Sequence, residues 1–379
     1  MSREYNLMSK TILITGGAGF IGSHLADELI SAGHKVRILD NLSEQVHGPS
    51  KSRPDYLNRA AELQVGDVRD PAAVKASLKG VDAVYHFAAM VGVGQSMYQV
   101  DDYVGVNDLG TAILLQALIE RPVERLVVAS SMSIYGEGLY RDAQGQIVTA
   151  GERSLANLKD GKWEPVGADG GRLEPQPTPE SKAPTLSSVY ALNKYVQERM
   201  CLMIGQAYNI PTVAMRFFNV YGTRQALSNP YTGVLAIFAS RLLNDNSPMI
   251  FEDGLQRRDF VHVADVARAC HLALNAEKAA GEVFNIGSGE SISVAEVAEQ
   301  LASALGKSRI APTLTRKFRV GDIRHCFADI GKAQRILGYR PEVTLSDGMT
   351  ELTDWLDGQI AVDRVEQASR ELAQRGLAV

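Results

Sequence analysis

Residues 11–25 read TILITGGAGFIGSHL, and this stretch decides the fold. A short β-branched run leads into a glycine-rich turn, and apolar residues at helical spacing begin directly after it. The turn has the spacing Gly17-x-Gly19-x-x-Gly22, and Gly16 adds a second, overlapping register. Glycines at such points permit a tight turn, a close approach of the backbone to a pyrophosphate, and close packing of helix on strand. Glycine-rich turns without ligands are common, so the motif needs support from the surrounding sequence.

That support comes from a carboxylate at the end of the next strand. Residues 34–40, HKVRILD, end at Asp40, about where a dinucleotide-binding fold places the side chain that binds the adenosine ribose. Asp40 would repel a 2′-phosphate, and no arginine directly follows it, so the sequence predicts NAD rather than NADP. Asp67 and Val68, in GDVRD after a third predicted strand, are candidate adenine contacts.

Strand-like and helix-like segments alternate through the first half of the chain. The segments HKVRILD, LQVGD, DAVYHFAA and RLVVASS are typical of strands, whereas DPAAVKASLKG and NDLGTAILLQALIER have helical spacing. This alternation predicts an α/β fold with a Rossmann-type, doubly wound parallel sheet covered by helices on both faces. Such sheets bind ligands at the carboxyl ends of their strands. The polar segment SSMSIYG, residues 130–136, follows RLVVA at that edge.

Length and composition exclude several classes of protein. The chain has 379 residues, of which 45% are hydrophobic, and a formal net charge of −5. This length predicts two domains, or one domain with an added lobe. The mild acidity and the lack of a basic tract argue against a nucleic-acid-binding surface. Residues 1–10, MSREYNLMSK, lack the apolar core of a signal peptide, and we find no apolar run long enough to cross a bilayer.

The cysteines are few, odd in number and far apart. Cys201, Cys270 and Cys326 therefore predict neither a disulfide framework nor a zinc site, and we expect no metal. This cysteine usage, together with the lack of a signal peptide or a membrane span in the sequence pattern, predicts a reducing, cytoplasmic compartment.

Residues 137–183 interrupt the alternation with many glycines, prolines and charged residues, including GADGGRLEPQPTPE. A structureless stretch of this length is typically functional or mobile, although a surface insertion without a catalytic role fits equally well. Beyond it we expect a smaller α/β lobe with interleaved connections. The predicted division is a Rossmann domain over residues 8–210, with the insertion, and a lobe mainly over residues 211–379. The last ~15 residues have the pattern of an amphipathic helix.

Tyr190 and Lys194, in YALNK, stand four residues apart on a predicted helix and therefore on one face. Tyrosine is a poor base at its usual pKa of about 10. A lysine ammonium and a positively charged nicotinamide both favour the tyrosinate, so the pair can form a usable base. The alternative to a catalytic pair is a chance i, i+4 pair on an exposed helix. The preceding dinucleotide-binding pattern favours catalysis.

Taken together, these motifs resemble those of the extended short-chain dehydrogenase/reductases that act on nucleotide sugars, the NAD-dependent epimerases and dehydratases. The resemblance covers nearly the whole chain. It rests on TGGAGFIGSHL, DN at 40–41, GDVRD, HFAA at 86–89, SSMSIYG, YALNK, RFFNVYG, RRDFVHV, NIGSG and RVGDIRH.

The resemblance implies a catalytic triad and a set of cofactor contacts. In the family, a Ser or Thr four positions before the Tyr-Gly pair completes a triad with Tyr190 and Lys194, and that position here is Ser131. Its hydroxyl is expected to bridge the sugar oxygen and Tyr190. The expected NAD contacts are Gly16, Gly19, Phe20, Ile21, Gly22, Asp40, Asn41, Asp67, Val68, Ala88, Ala89, Tyr190 and Lys194.

The resemblance also implies a site for a dTDP- or UDP-linked sugar. Asn219 of RFFN and Arg258 of RRDF match family residues that meet the diphosphate. Arg319 and Asp322 of RVGD match the pair that holds the phosphate and the nucleoside ribose. The alternative is that these four are ordinary polar residues of the surface or of loops, without a role in binding. With the two serines of the strand end, the expected substrate contacts are Ser131, Ser133, Asn219, Arg258, Arg319 and Asp322.

Met132 and Ser133 separate this sequence from other reaction types of the family. The 4,6-dehydratases carry an acid and a base in the matching segment, the decarboxylases carry glutamate where Ser133 stands, and the 3,5-epimerases carry cysteine there. Methionine cannot donate a proton to a leaving hydroxyl, and serine is a poor base without an activating partner. The plain triad that remains resembles the 4-epimerases, in which C4 is oxidised by hydride transfer and the hydride returns to the other face.

The overall pattern is most similar to that of bacterial dTDP-L-rhamnose 4-epimerases, which make dTDP-6-deoxy-L-talose. No single residue distinguishes thymine from uracil. A UDP-hexose 4-epimerase, acting on glucose or N-acetylglucosamine, and a 4-ketoreductase that releases its cofactor remain open. An NAD-binding sensor without chemistry is a fourth possibility, against which the intact Tyr190–Lys194 pair argues.

Two predicted helices, DLGTAILLQALIE and YALNKYVQERMCLMI, carry apolar residues on more than one face. Family members pair two such helices from each subunit in a four-helix bundle. The sequence therefore predicts a homodimer, unless both helices are simply buried in the monomer.

Overall fold

The computed structural model describes residues 9–319 and 322–377. Residues 1–8, most of the segment compared above with a signal peptide, lie outside the described residues, as do two residues of the RVGD motif, 320 and 321. The strands, in chain order, are β1 (Thr11–Thr15), β2 (Lys35–Asp40), β3 (Glu62–Val65), β4 (Ala83–His86), β5 (Arg125–Ser131), β6 (Leu139–Arg141), β7 (Ile147–Thr149), β8 (Glu174–Gln176), β9 (Thr212–Phe217), β10 (Asn219–Tyr221), β11 (Met249–Ile250), β12 (Arg257–Arg258), β13 (Phe260–His262), β14 (Val283–Ile286), β15 (Ile292–Ser293), β16 (Thr313–Leu314) and β17 (His325–Cys326).

The helices surround these strands, and the longest is the one that carries Tyr190 and Lys194. They are α1 (Phe20–Ser31), α2 (Glu44–His47), α3 (Pro71–Ser77), α4 (Val93–Ser96), α5 (Val100–Tyr103), α6 (Gly110–Glu120), α7 (Leu155–Lys159), α8 (Val189–Ala207), α9 (Val234–Leu243), α10 (Val263–Asn275), α11 (Val294–Ala304), α12 (Gly331–Leu337), α13 (Leu345–Leu356) and α14 (Val365–Gln374). A π-helical turn over Val104–Leu109 leads into α6, and 3₁₀ turns cover Met132–Tyr135 and Glu277–Ala279.

In the described residues, seven strands form one parallel sheet in the order β14-β9-β5-β4-β1-β2-β3. This arrangement confirms the predicted Rossmann-type α/β fold. Successive residues of β1 face opposite sides, as the two-residue period of a strand requires. Ile12 and Ile14 pack with Leu25 of α1, whereas Leu13 lies in a second cluster with Leu114 of α6. Helices therefore bury both faces of the sheet.

Residues beyond 210 contribute both to this sheet and to a smaller lobe. The strands β9 and β14 add to the sheet edge. The lobe has its own apolar cluster, in which Phe238 of α9, Leu301 of α11 and Leu352 of α13 are buried. Short strands pair in the orders β10-β13, β11-β16 and β15-β12-β17 around it. The chain thus crosses between the two units more than once, and the division at residue 210 stays a prediction.

The insertion over residues 137–183 has secondary structure, so the expectation of a structureless stretch is wrong. Its strands form a three-stranded antiparallel sheet in the order β7-β6-β8, and α7 lies between β7 and β8. Each strand has only three residues, which is too short for a periodic pattern to show in the sequence.

The predicted C-terminal amphipathic helix is present as α14. Leu372 packs over Gly94, and Glu371 Oε2 accepts hydrogen bonds from the hydroxyls of Tyr231 at 3.0 Å and Tyr98 at 3.3 Å. The guanidinium of Arg375 lies 4.3 Å from the centre of the Tyr98 ring. The helix therefore joins the segment that follows β4 to the segment that follows β10. Among the described residues, no helix is long and apolar enough to span a membrane.

Candidate active site

The glycine turn between β1 and α1 leaves no room for side chains. A Cβ on Gly16, which has φ +69°, would lie 2.7 Å from the backbone nitrogen of Ala88. A Cβ on Gly22 would lie 2.6 Å from both the carbonyl oxygen of Gly16 and the Cα of Gly17. Because no side chain covers the turn, its backbone can approach a ligand closely, directly before α1 begins at Phe20. This N-terminus is the positive end of the helix dipole, so the turn fits a dinucleotide pyrophosphate.

Asp40 lies at the end of β2 and is 8% exposed. Its carboxylate accepts hydrogen bonds from the backbone nitrogens of Ala18 at 3.0 Å and Leu42 at 2.9 Å, so it ties the glycine turn to the end of β2. A carboxylate has lone pairs beyond these two bonds, which is what ribose hydroxyls require. Asp40 therefore has acceptor capacity for the hydroxyls of the predicted ribose.

His47 and Tyr56 stand beside Asp40, and the sequence analysis missed both. His47 Nε2 lies 3.8 Å from Asp40 Oδ1, and the hydroxyl of Tyr56 donates to the carbonyl of Ala18 at 2.8 Å. Burial raises the pKa of Tyr56 to about 12, so it remains a donor at neutral pH. Residues 44–60 contain no motif or period that would have drawn attention to these side chains.

The predicted adenine contacts lie one strand further along the sheet. Asn41 Nδ2 donates to Asp67 Oδ2 at 3.1 Å, and the guanidinium of Arg69 forms a bidentate ion pair with the same carboxylate. Hydrogen bonds from Arg69 and Asn41 outweigh burial and lower the pKa of Asp67 to about 2. Val68 is buried at 5% exposure and faces Gly110 of α6. Asn41 and Asp67 are thus brought together, whereas the Val68 side chain belongs to the core.

A buried chain of polar side chains supports Ala88, which lies opposite the glycine turn. The backbone nitrogen of Ala88 donates to Thr15 Oγ1 at 3.2 Å. Thr15 in turn bonds His86 Nδ1 at 2.8 Å, and His86 Nε2 meets Thr111 Oγ1 at 2.8 Å. Burial lowers the pKa of His86 to about 3, so the ring is neutral. The HFAA motif contains His86, but only Ala88 and Ala89 of this motif were predicted as cofactor contacts.

The residue after Ala89 is held by the π-helical turn. Asn107 Oδ1 accepts from the backbone nitrogen of Met90 at 2.7 Å, and Asn107 Nδ2 donates to the Met90 carbonyl at 3.1 Å. The extra residue of a π turn is common at functional sites because it redirects a side chain. The helix predicted over residues 107–121 therefore begins within a π turn. Asn107 of this turn fixes the backbone that follows β4.

The structure places the Ser131 hydroxyl close enough to Tyr190 to affect the pKa of the phenol. Ser131 Oγ accepts two hydrogen bonds from Ser133, one from its hydroxyl at 2.9 Å and one from its backbone nitrogen at 3.2 Å. These bonds use both lone pairs of Ser131, so its own proton is free to be donated. Burial raises the pKa of Tyr190, and the hydrogen bond with Ser131 acts in the opposite direction. The pair therefore has the polarity needed to stabilise a tyrosinate.

Lys194 lies one helical turn beyond Tyr190 on α8. It is 4% exposed, and its ammonium donates to the carbonyl of Ala129 at 2.9 Å. Burial lowers the pKa of Lys194 to about 8. The charge of Lys194 is therefore present at pH 7 and is lost above about pH 8. The backbone nitrogen of Tyr190 donates to Ser96 Oγ at 3.0 Å, which anchors the start of the helix.

Met132 and Ser133 form the 3₁₀ turn that follows Ser131. Met132 is 9% exposed and packs in the apolar cluster under the sheet. Ser133 is 6% exposed, and its hydroxyl is engaged by Ser131. Neither side chain supplies an acid or a base to this end of β5.

The predicted diphosphate and ribose residues gather in the smaller lobe. Asn219 begins β10, and its buried amide oxygen has no hydrogen-bond partner among the described residues. Arg319 Nε donates to Asp322 Oδ2 at 3.1 Å, and the Arg319 guanidinium lies 4.7 Å from the centre of the Phe251 ring. Burial opposes ionisation of Asp322, but the charges of Arg319, Arg258 and a third arginine lower its pKa.

Arg258 points at the backbone that follows Asp322. Its Nη1 donates to the carbonyls of Arg257 and Arg324, both at 2.9 Å, and its Nη2 donates to the carbonyl of Ile323. A guanidinium has five N–H donors, so two remain for another acceptor. Asp259 was not predicted from the sequence. It is fully buried and accepts from the backbone of Ser288 at 2.7 Å, which ties the residue after Arg258 to the loop that follows β14.

The described residues contain no cluster of three or more His, Cys, Asp or Glu side chains that could hold a metal ion. The three cysteines are buried free thiols.

Comparisons with known proteins agree with the fold. Residues 12–154 and 166–287 match the model of the NAD dependent epimerase/dehydratase family. The dTDP-L-rhamnose 4-epimerase of Burkholderia thailandensis is 36% identical over 359 residues, which cover 92% of this chain and 95% of that protein.

Solved structures agree as well. UDP-glucose 4-epimerase of Thermotoga maritima, solved with UDP-glucose, superposes with a TM-score of 0.74 at 29% identity, covering 92% of this chain and 99% of that one. UDP-glucuronic acid 4-epimerase of Bacillus cereus, solved with UDP-glucuronic acid and NAD, gives the same TM-score, identity and coverage. The chain belongs to the NAD dependent epimerase/dehydratase family.

Proposed function

We propose that this enzyme is an NAD-dependent nucleotide-sugar 4-epimerase that interconverts dTDP-L-rhamnose and dTDP-6-deoxy-L-talose. The observation that carries the reaction type is the turn after β5, where Ser131 is followed by Met132 and Ser133, which offer neither acid nor base. The Ser131 hydroxyl also lies close enough to Tyr190 to lower its pKa. Hydride chemistry at C4 needs only such a proton-transfer group and a bound cofactor.

The chain's own residues would handle the proton. Tyr190 takes the proton of the C4 hydroxyl, and Ser131, with its hydrogen free to donate, stabilises the oxygen that loses it. A cationic Lys194, one turn away on α8, favours the tyrosinate. The glycine turn and Asp40 would hold NAD, which would supply the reversible hydride transfer at C4. After the 4-keto sugar turns over in the pocket, Tyr190 gives the proton back to the new C4 oxygen.

The smaller lobe would hold the nucleoside diphosphate. The two free N–H donors of Arg258 suit the diphosphate, because a guanidinium and a phosphate match in charge and geometry. Asn219 offers an amide close by, because its backbone nitrogen donates to the carbonyl of Asp259, the residue after Arg258. Arg319 with Asp322 offers a donor and an acceptor for phosphate and ribose. These assignments stay proposals, supported by the grouping of Arg258, Arg319 and Asp322 in one electrostatic cluster.

The choice of sugar rests on similarity. The relative from Burkholderia thailandensis, named for dTDP-L-rhamnose, supports the dTDP-linked deoxysugar. A UDP-hexose 4-epimerase is the second candidate, because the solved relatives named above contain UDP-sugars. A 4-ketoreductase would differ from both epimerases because it consumes NADH and releases its cofactor. A sensor would differ because it turns over no sugar.

The exchange of substrate hydrogens with solvent gives a test of the reaction type. We expect turnover of dTDP-L-rhamnose, or of another active sugar, in D₂O to give the C4 epimer without deuterium at any carbon. The C4 hydrogen travels as hydride, so it never exchanges with solvent. NMR of products from a panel of dTDP-, UDP-, GDP- and CDP-sugars provides the measurement.

Other outcomes of the same experiment point to other reactions. Deuterium at C3 or C5 would indicate a carbon acid–base step and contradict the 4-epimerase. Consumption of NADH in step with product would indicate the ketoreductase, and the absence of turnover with every sugar would favour the sensor.

We also propose that the enzyme is a homodimer. Apolar side chains are exposed along the π turn and α8, where Val104, Leu109, Leu192 and Met203 are each more than two-fifths exposed. Leu192 and Met203 lie three helical turns apart on one face of α8. Pairing of these helices with those of a second subunit would cover this surface.

Light scattering tests the assembly at micromolar concentration. We expect twice the 41.1 kDa chain mass, and we expect Leu192→Arg with Met203→Glu to give the monomer. The substitution Leu155→Arg, at an exposed leucine of the insertion, is the control. A monomeric mass for the unmodified protein would contradict the proposal.

A further inference from the structure

Both ends of the insertion run along one segment of the smaller lobe, residues 325–329. The backbone nitrogen of Gly138 donates to the carbonyl of His325 at 2.8 Å. At the other end, the backbone nitrogen of Thr178 donates to the carbonyl of Phe327 at 2.8 Å. The strand that begins this segment, β17, pairs with β12, which carries Arg258. The insertion therefore lies directly behind the proposed diphosphate residue.

The side-chain carboxylate of Glu137, the first residue of the insertion, binds backbone nitrogens at the start of the same segment. Its Oε2 accepts from the backbone nitrogen of Arg324 at 2.8 Å, and its Oε1 accepts from the backbone nitrogen of His325 at 2.6 Å. The hydroxyl of Tyr140, also in the insertion, donates to Oε1 at 2.5 Å. One carboxylate thus fixes two consecutive peptides just after Asp322.

Arg324 is fully buried, at 0% exposure, and every bond of its guanidinium within the described part of the chain goes to a carboxylate. Its Nη1 donates to Glu252 at 3.0 Å and to Asp253 at 2.6 Å. Its Nη2 donates to Asp253 and to Glu164 of the insertion, and its Nε donates to Glu164 at 2.9 Å. All five N–H donors are used. Without Glu164, two donors of a buried cation would lose their partner, which is costly.

His325 makes a second link to Glu164. The ring accepts at Nδ1 from the backbone nitrogen of Arg257 at 3.0 Å, so Nε2 carries the proton and faces Glu164 Oε2 at 2.9 Å. Burial opposes ionisation of Glu164, but hydrogen bonds from His325 and Arg324 lower its pKa to about 2. Glu164 is therefore an anion at neutral pH.

Arg153 connects the insertion to Asp322 itself. Its Nη2 donates to the backbone carbonyl of Asp322 at 2.7 Å, and its Nη1 donates to Glu252 Oε1 at 2.7 Å. Arg153 is also the third cation that lowers the pKa of the Asp322 carboxyl. Nearby, the ring centres of Trp163 and Phe318 lie 6.3 Å apart, which places an aromatic contact directly before Arg319.

The segment that supplies Glu164 falls in a gap of the match to the family model. The match runs over residues 12–154 and 166–287, so residues 155–165 fall in its gap. This gap contains α7, Trp163 and Glu164. A segment outside the shared pattern thus contacts the residues proposed to hold the nucleoside diphosphate.

We infer that the insertion is a positioning element of the nucleotide-sugar site. Arg153 bonds the backbone of Asp322, and Glu164 bonds the side chains of Arg324 and His325, so the two residues hold the segment from Asp322 to His325. The position of this segment sets where Arg258, Arg319 and Asp322 meet the nucleoside diphosphate. The inference rests on the proposed function, because it needs those three residues to bind substrate. Arg153 and Glu164 act through them and are positioning residues. Buried ion networks of this kind need tertiary precision and are expensive as mere stabilisers.

Arg153→Met tests the inference, and Lys162→Met is the matched control. Lys162 is also a cation of the insertion, but its side chain is 68% exposed. We expect Arg153→Met to raise the KM for the nucleotide sugar and the Kd for free dTDP or UDP by about tenfold, a change in line with loss of a charged hydrogen bond. We expect kcat to change less than about twofold and bound NAD to remain, because neither depends on this lobe.

Conservative variants keep the test decisive if Arg153→Met folds poorly. Arg153→Lys should recover part of the affinity, and Glu164→Gln should raise KM and Kd in the same direction. Unchanged KM and Kd in folded variants, or parallel losses of kcat, NAD and thermal stability, would overturn the inference. If the unmodified protein binds neither dTDP nor UDP, the proposed function fails first. If it binds them and the variants bind equally well, the inference alone fails.

Discussion

Replacing Tyr190 with phenylalanine should lower turnover by at least about a hundredfold while the protein stays folded, because general acid–base groups contribute about 10² to 10⁴. The change removes one hydroxyl and leaves the ring and the backbone bond to Ser96 in place. Without the phenol, the C4 hydroxyl has no group to take its proton, and Ser131 loses its partner. Steady-state kinetics with the active sugar, together with the NAD content of the purified protein, provide the measurement.

Tyr195→Phe is the matched control for this experiment. Tyr195 lies on the same helix, α8, and is also partly exposed. We expect Tyr195→Phe to keep normal turnover, and both variants to keep their NAD. Near-normal turnover in Tyr190→Phe would refute the mechanism. Loss of NAD and of the folded state in that variant would instead show that Tyr190 acts in the structure, which would also remove the basis for the triad.

The parts of the fold that sequence patterns predicted are those with local causes. The period of two in β1 and the glycines that follow it act within a few residues, so they are visible in one short window. Asp40 was predicted from its place at the end of the next strand, and the structure ties it to Ala18 of the glycine turn. Tyr190 and Lys194 share a helix face for the same local reason.

The parts that sequence patterns missed depend on contacts between distant residues. Glu164 and Arg324 are 160 positions apart, and nothing near either residue indicates the other. The insertion strands have three residues each, so their pairing comes from the tertiary structure and not from propensity. His47 beside Asp40 is a similar case, because a short loop helix brings it back to the strand end.

Ser133 shows how the structure refines a predicted role. The sequence argument predicted a sugar contact, and this prediction stands untested. The structure adds that Ser133 donates twice to Ser131, which leaves the Ser131 proton free to be donated. An ionised carboxylate side chain at this position could not donate the second of these bonds, which comes from the Ser133 hydroxyl, whereas the backbone nitrogen would still donate the first. The residue that removes other chemistries from this turn thus also orients the triad.

The second large effect should come from Gly22, where valine is expected to weaken NAD binding about a hundredfold. A Cβ there would lie 2.6 Å from the carbonyl oxygen of Gly16 and from the Cα of Gly17, both backbone atoms that cannot rotate away. The start of α1 must then move off the glycine turn, and overpacking of this kind costs about 1–3 kcal/mol, sometimes more. The displaced helix end would no longer direct its N–H groups at the pyrophosphate.

A graded series separates this steric cause from a loss of helix stability. Alanine is the better helix former by about 1 kcal/mol, so if propensity decided the outcome Gly22→Ala would bind NAD as well as the unmodified protein. We expect the opposite: weaker binding in Gly22→Ala and much weaker binding in Gly22→Val, measured by calorimetry on protein stripped of cofactor. Gly151→Val is the control, because no atom lies within 4 Å of a Cβ there. Circular dichroism checks that each variant is folded before NAD is added. Tight NAD binding by a folded Gly22→Val protein would mean that the cofactor does not depend on the close approach of α1 to the glycine turn.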